Sequence, residues 1–174
     1  MSSPCKLAAW VFLCLGSAVA AAQPSDQLLA ARVLGPQWRK IAHAAGMVFS
    51  GTVMGVEAPP ARAQAVPAIQ IKLRVDRAIA GVKAGEVLTI REWAGAWSMH
   101  RPMRAGQHVL LLLYPPSSLG LTSPVSGARS QIALDASGTR LAAPLKERKT
   151  WDTQQTVIVS VLQLERAIRG AREE

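Results

Sequence analysis

The sequence predicts a mainly β domain, a small antiparallel barrel of five or six strands with a short helix before it and an amphipathic helix after it. Three observations predict this. Residues 69–76 alternate apolar Ile69, Ile71, Leu73 and Val75 with polar Gln70, Lys72, Arg74 and Asp76, the period of a strand with one face in a core and the other in water. Residues 107–114, Gln-His-Val-Leu-Leu-Leu-Leu-Tyr, form a continuous apolar run between Gly106 and Pro115, as expected of a strand covered on both faces. Val157, Val161, Leu164 and Ile168 make one stripe at helical spacing near the end of the chain.

Taken in order, residues 1–22 have the pattern of a secretory signal and are set apart from the fold. Lys6 supplies a positive n-region, residues 7–22 are apolar or small, and Ala18-Val19-Ala20 and Ala20-Ala21-Ala22 offer small-x-small cleavage sites before the polar Gln23. Both cysteines, Cys5 and Cys14, lie in this segment. The remainder, 23–174, is then expected to hold no disulfide, thiolate metal site or cysteine nucleophile. A disulfide-free exported chain fits the bacterial periplasm or cell surface. Its length is that of one ordinary domain.

Residues 25–45 lean to helix in two pieces, broken at Gly35-Pro36, with Trp38, Ile41 and Ala45 on one face of the second. Residues 47–56 are the first strand, and Gly51 and Gly55 within it mark bulges or bends. A Pro- and Ala-rich loop leads to the alternating second strand, whose register is fixed because a one-residue slip would bury Lys72 and Arg74. Residues 86–93 form the third strand, paired with the second as a hairpin. Residues 94–103 are irregular. The leucines of 107–114 favour helix by propensity, but Gly106 and Pro115 decide for a strand. Residues 115–127 are a loop, and 130–135 with 139–142 a hairpin turning at Gly138. The last helix is expected over 153–170, with Asp152 and Gln155 at capping-box spacing, Ile158 and Leu162 widening its stripe, Gln163, Arg166 and Arg169 facing water, and Glu165 and Arg169 at i, i+4 in the favourable order.

These elements suggest a small OB-like five- to six-stranded antiparallel barrel. In order, the segments Ala45-Gly-Met-Val-Phe-Ser-Gly-Thr-Val53, Val75-Asp-Arg-Ala-Ile-Ala-Gly81 and Met103-Arg-Ala-Gly-Gln-His-Val-Leu-Leu-Leu112 resemble the netrin-like domains related to tissue inhibitors of metalloproteinases, over roughly residues 45–135. The resemblance implies an OB-fold and a non-catalytic, exported binding barrel whose partner is an exported protein such as a metalloprotease. In the inhibitors an N-terminal cysteine meets the target's zinc. Here no cysteine follows Cys14, so that inhibitory wedge carries over to no residue.

The charge excludes less than it first suggests. Formal net charge is +9 for the whole chain, and +8 without Lys6. The cations are scattered and accompanied by no nucleic-acid-binding signature, so nucleic acid is not the expected partner; weak attraction to anionic envelope components is. No run outside the signal reaches the roughly 20 apolar residues of a membrane-spanning helix.

Catalytic constellations are not legible. His43, His100 and His108 lack metal-site spacing, although His100 and His108 with Glu92 could converge as ligands. Ser50 and the serines at 117, 118, 123 and 126 lack a nucleophile-elbow context. The acidic residues show no dyad spacing, and Asp76 followed by Arg77 reads as a surface ion pair. No cofactor is expected. Binding is assigned instead to Trp93 and Trp97 with Arg101 and Arg104, and to Ser123 in the long loop; the competing role for the two tryptophans is to plug one end of the barrel. The expected function is therefore an exported, non-enzymatic binding or accessory protein. The alternatives are a metal-dependent or hydrolytic periplasmic enzyme using His100, His108 and Glu92, and an envelope attachment module for anionic polymers.

Overall fold

A computed structural model describes residues 24–58, 67–97, 102–142, 145–148, 154–157 and 159–174. Residues 1–22, which hold the expected signal, and His100 and Arg101 lie outside the described residues. Two helices, α1 (Pro24–Leu34) and α2 (Trp38–Ala44), precede three strands, β1 (Met47–Glu57), β2 (Ala68–Ala80) and β3 (Val87–Trp93). A helical turn, α3 (Ala94–Trp97), leads towards β4 (His108–Leu113). Then come β5 (Gln131–Ala133), a hairpin of β6 (Leu145–Arg148) and β7 (Gln154–Val157), and α4 (Val161–Glu173).

The main sheet has the order β3-β2-β1-β4-β5, and every neighbouring pair is antiparallel. β4 is buried on both faces, as its sequence predicts. Leu110 and Leu112 join Val48 in a core with Leu34, Trp38 and Ile41 of the N-terminal helices and Leu164 and Ile168 of α4. Val109, Leu111 and Leu113 turn the other way, onto Phe49, Ile71, Leu73, Val75 and Ile90. Fully burying a leucine or valine contributes about 1.5–3 kcal/mol, so this strand anchors two cores at once. The alternation of β2 is realised too: Ile71, Leu73 and Val75 are buried while Lys72, Arg74 and Asp76 are exposed.

The sheet is open, which corrects the expected closed barrel. After β4 the chain returns beside it through a Leu113–Pro124 bridge, and touches the far edge by one backbone bond, Thr122 N–H to the Arg91 carbonyl at 2.8 Å. Pro115, Pro116 and Pro124 remove amide donors from this stretch, and a ladder strand needs those donors. The sheet nevertheless coils strongly. β1 carries register shifts between Val48 and Phe49, Ser50 and Gly51, and Val53 and Gly55, and each added residue increases local twist. Two of the three shifts coincide with the glycines that predicted them.

α4 begins eight residues later than position 153, at Val161. Gln155 and Val157 belong to β7 instead, paired with Glu147 and Leu145. Asp152 lies outside the described residues. The run Thr156-Val157-Ile158-Val159 is β-branched throughout, which restricts χ1 in a helix and suits a strand. The exposed and buried faces of α4 also differ from expectation. Leu162 is exposed, whereas Glu165 is buried. Glu165 turns to the sheet, where it accepts from the Ser50 hydroxyl at 3.0 Å and pairs with Arg77 at 3.1 Å. Arg77 therefore serves the helix rather than Asp76, which binds Arg74 at 3.2 Å. Arg166 reaches buried Asp26 of α1 at 3.0 Å, and Arg172 donates to the Ala42 and Ala45 carbonyls at the end of α2, where the exposed carbonyls favour a cation.

Gly51 tests the coiling directly. A Cβ there would stand 2.5 Å from the Arg74 carbonyl oxygen, whereas one at Gly55 would meet nothing within 4 Å. Gly51→Ala is expected to lower stability in urea unfolding by about 1–3 kcal/mol through overpacking. Gly55→Ala should be neutral or stabilise by up to about 1 kcal/mol. Equal effects at the two sites would contradict the tight crossing at Gly51.

Candidate functional site

Coiling brings together two corners that a flat sheet would keep apart. Trp93 pairs with Ala68 at the start of β2. Tyr114 follows Leu113, which pairs with Met47 at the start of β1, beside the far end of β2 where Val48 pairs with Ala80. Trp93 and Tyr114 nevertheless line one groove of about 330 Å³, with Ala96, Pro115, Ser117, Leu121, Thr122 and Ser123. Trp93 is 48% and Tyr114 42% exposed. A Cβ on Gly95 would fall 2.4 Å from the Trp93 ring, so the indole lies against a backbone that only glycine leaves open.

The facing wall is ordered by its own hydrogen bonds. Tyr114 N–H donates to the Ser123 carbonyl at 3.0 Å, and the Thr122 hydroxyl to the Tyr114 carbonyl at 2.6 Å. Ser117 and Leu121 close the tip of the loop with a 2.8 Å backbone bond and a 3.2 Å bond to the Ser117 hydroxyl. The Arg91 guanidinium donates to the Leu119 carbonyl at 3.2 Å. The loop is thus a fixed surface with hydroxyls and an arginine beside two aromatic faces.

The predicted binding residues divide. Trp93 and Ser123, distant in sequence, share the groove. Trp97 is half-buried and packs on the core of Phe49, Ile90 and Val109, outside the groove. Arg104 is exposed in the turn before β4, where its N–H donates to the Gln107 side chain, and it does not line the groove. Arg101 lies outside the described residues. Sequence reading missed Tyr114, Pro115 and Leu121 as partners of Trp93. Their signal was an aromatic residue ending an apolar strand, directly before a proline-rich loop.

Of the polar residues expected to carry chemistry, Glu92 and His108 lie on opposite faces of the sheet, and His100 lies outside the described residues. Glu92 is buried with Ile90 on the inner face of β3, whereas His108 shares the helix-side face of β4 with Leu110 and Leu112. His108 meets Thr52 at 3.0 Å and Asp76 at 3.6 Å, and both contacts fall on Nδ1. A nucleophile relay needs the hydroxyl and the carboxylate on opposite ring nitrogens, so this triangle is not one. Among the described residues there is no cluster of three or more His, Cys, Asp or Glu able to hold a metal ion. A larger cavity of about 560 Å³ runs along β5, lined by Ile132, Leu141 and Ala142 with Arg129 and Gln131, and presents no aromatic face.

Set against protein-family models, curated proteins and solved structures, the chain gives no match in any of the three comparisons.

Glu92 carries a measurable consequence. Burial raises its pKa from 4.5 to about 7. The folded state then holds a proton that the unfolded chain releases between these values, so the associated stability is complete below about pH 4.5 and is lost as pH rises through 7. Glu92→Gln should match the parent at pH 4 and exceed it at pH 8 by on the order of 2–3 kcal/mol. Urea unfolding at the two pH values checks this, and identical pH slopes in the two proteins would contradict it.

Proposed function

We propose that the chain is an exported, non-enzymatic binding module, and that the groove between Trp93 and Tyr114 is its contact surface for another exported protein. The observation that carries this reading is a groove lined by two half-exposed aromatics, Trp93 and Tyr114, the second held in a hydrogen-bonded wall. Aromatic residues in a preformed recess supply contact area at little ordering cost, and such positions dominate binding energy at protein interfaces. Export rests on the pattern of residues 1–22, and a bacterial periplasmic or surface location on the absence of cysteine after Cys14. The resemblance to netrin-like domains supports the same role: the open, coiled sheet, met at its far edge by the Thr122–Arg91 bond, offers its rim to a partner. An exported protease is the partner class that the resemblance implies.

The test is affinity capture from the native envelope with the full exported chain as bait. A specific partner should be enriched by the parent and by Lys83→Ala, an exposed substitution in the β2–β3 turn. Trp93→Ala should weaken its measured affinity about 30-fold or more, the loss expected of an interface aromatic. A partner retained equally by Trp93→Ala and Tyr114→Ala would contradict the groove reading.

A further inference from the structure

The groove opens onto a charged surface with a regular spacing. On the face of β2 and β3 that points away from the inner core stand Lys72, Arg74, Arg91 and Trp93, alternating with the buried Ile71, Leu73, Ile90 and Glu92. The helices do not cover this part of the sheet; their core meets β1 and β4 through Val48, Leu110 and Leu112. Register places Gln70 opposite Arg91, Lys72 opposite Thr89 and Arg74 opposite Val87. Arg91 and Lys72 are therefore diagonal neighbours, about 7–8 Å apart. Lys72 and Arg74 are two residues apart on one strand, about 7 Å. The cations form a line, Arg91–Lys72–Arg74, that starts beside Trp93.

We infer that the segment bound by this surface is an extended acidic polypeptide, with an aromatic or large apolar residue in the Trp93–Tyr114 groove and carboxylates at alternate positions beyond it. The inference rests on the groove reading above. Side chains on one face of an extended chain repeat every two residues, about 6.8 Å, which is the spacing of the cationic line. Two carboxylates share this face: Asp76, which pairs with Arg74 at 3.2 Å and accepts from the Thr52 hydroxyl at 2.7 Å, and Glu57, which stands opposite Gln70 on β1. The pull on an acidic chain is therefore strongest at Arg91 and Lys72, the end of the line nearest the groove. Arg91 is fixed at the junction by its bond to the Leu119 carbonyl, so one cation is already positioned where the acidic run would leave the aromatic anchor.

The test uses two labelled peptides with the full exported chain: a tryptophan followed by alternating Glu and Thr, and the same peptide with Gln for every Glu. Fluorescence anisotropy should show the Glu peptide binding at least about tenfold more tightly than the Gln peptide at ~0.1 M salt, with the preference gone at ~0.5 M, where exposed charges are screened. Lys72→Glu should abolish that preference, and Trp93→Ala should weaken both peptides, whereas Lys83→Ala, in the β2–β3 turn, should leave the binding of both unchanged. Equal binding of the two peptides, with both lost in Trp93→Ala, would overturn the acidic inference and leave the groove standing. Glu-peptide binding indifferent to Trp93→Ala would count against the groove itself. A polyuronate or single-stranded DNA binding as tightly as the Glu peptide would make the line a general polyanion surface, and failure of both peptides to bind would also overturn the inference.

Discussion

The structure depends on one strand having no water-facing side. β4 sends Leu110 and Leu112 into the core beneath the helices and Val109, Leu111 and Leu113 into the core within the coiled sheet. A strand in that position cannot slip by one residue and satisfy both cores equally, because each side packs against neighbours of different shape. Its Gly-bounded start and proline-bounded end then set where the flanking loops must leave the sheet. The loop from Tyr114 to Val125 is forced back along β4, which is how it reaches Arg91 on β3.

The polar groups fasten the layers that β4 separates. Glu165 lies between Ser50 on β1 and Arg77 on β2, and Asp26 ties α1 to α4 through Arg166. Breaking a pair of this kind leaves a buried charge behind and costs far more than the pair contributes against apolar replacements. These contacts therefore fix where the helices sit. The helices gather over β1 and β4, and the outer face of β2 and β3 is left with Lys72, Arg74, Arg91 and Trp93 open to solvent. That uncovered face is a consequence of where the helices are fastened.

Much of this was legible in the residues. Period two in β2 and the apolar run of β4 are local patterns, and burial followed them. Gly51 and Gly55 announced bends in β1, and the bends occur there. What was not legible depends on tertiary geometry. A closed barrel required the stretch after β4 to act as a strand, yet its three prolines permit only a bridge and one backbone bond to β3. The start of α4 was misplaced because Val157 fits a helical stripe by spacing, while the β-branched run around it favours extension. Glu165 and Arg169 have ideal helix-surface spacing, and only the polar Ser50 and Arg77 on the neighbouring sheet draw Glu165 inward. For the site, Trp93 and Ser123 could be named singly, since an aromatic leaving a strand and a Ser-rich loop are visible in sequence. That the groove unites them with Tyr114 follows from coiling, which no local pattern encodes.

The central claim is that β4 couples both cores into one unit while the β3 rim stays open. Native-state amide hydrogen exchange tests it most directly. The amides of Val109–Leu113 should exchange only with global unfolding, and Leu110→Ala and Leu111→Ala, one in each core, should lower that barrier together with the protection of both helices and sheet. The Leu88 amide on β3, which faces Leu73 of β2, should exchange far faster, through local opening. Loss of α1 and α4 protection while β1–β4 stays protected, or Leu88 protection equal to that of Leu111, would contradict the account.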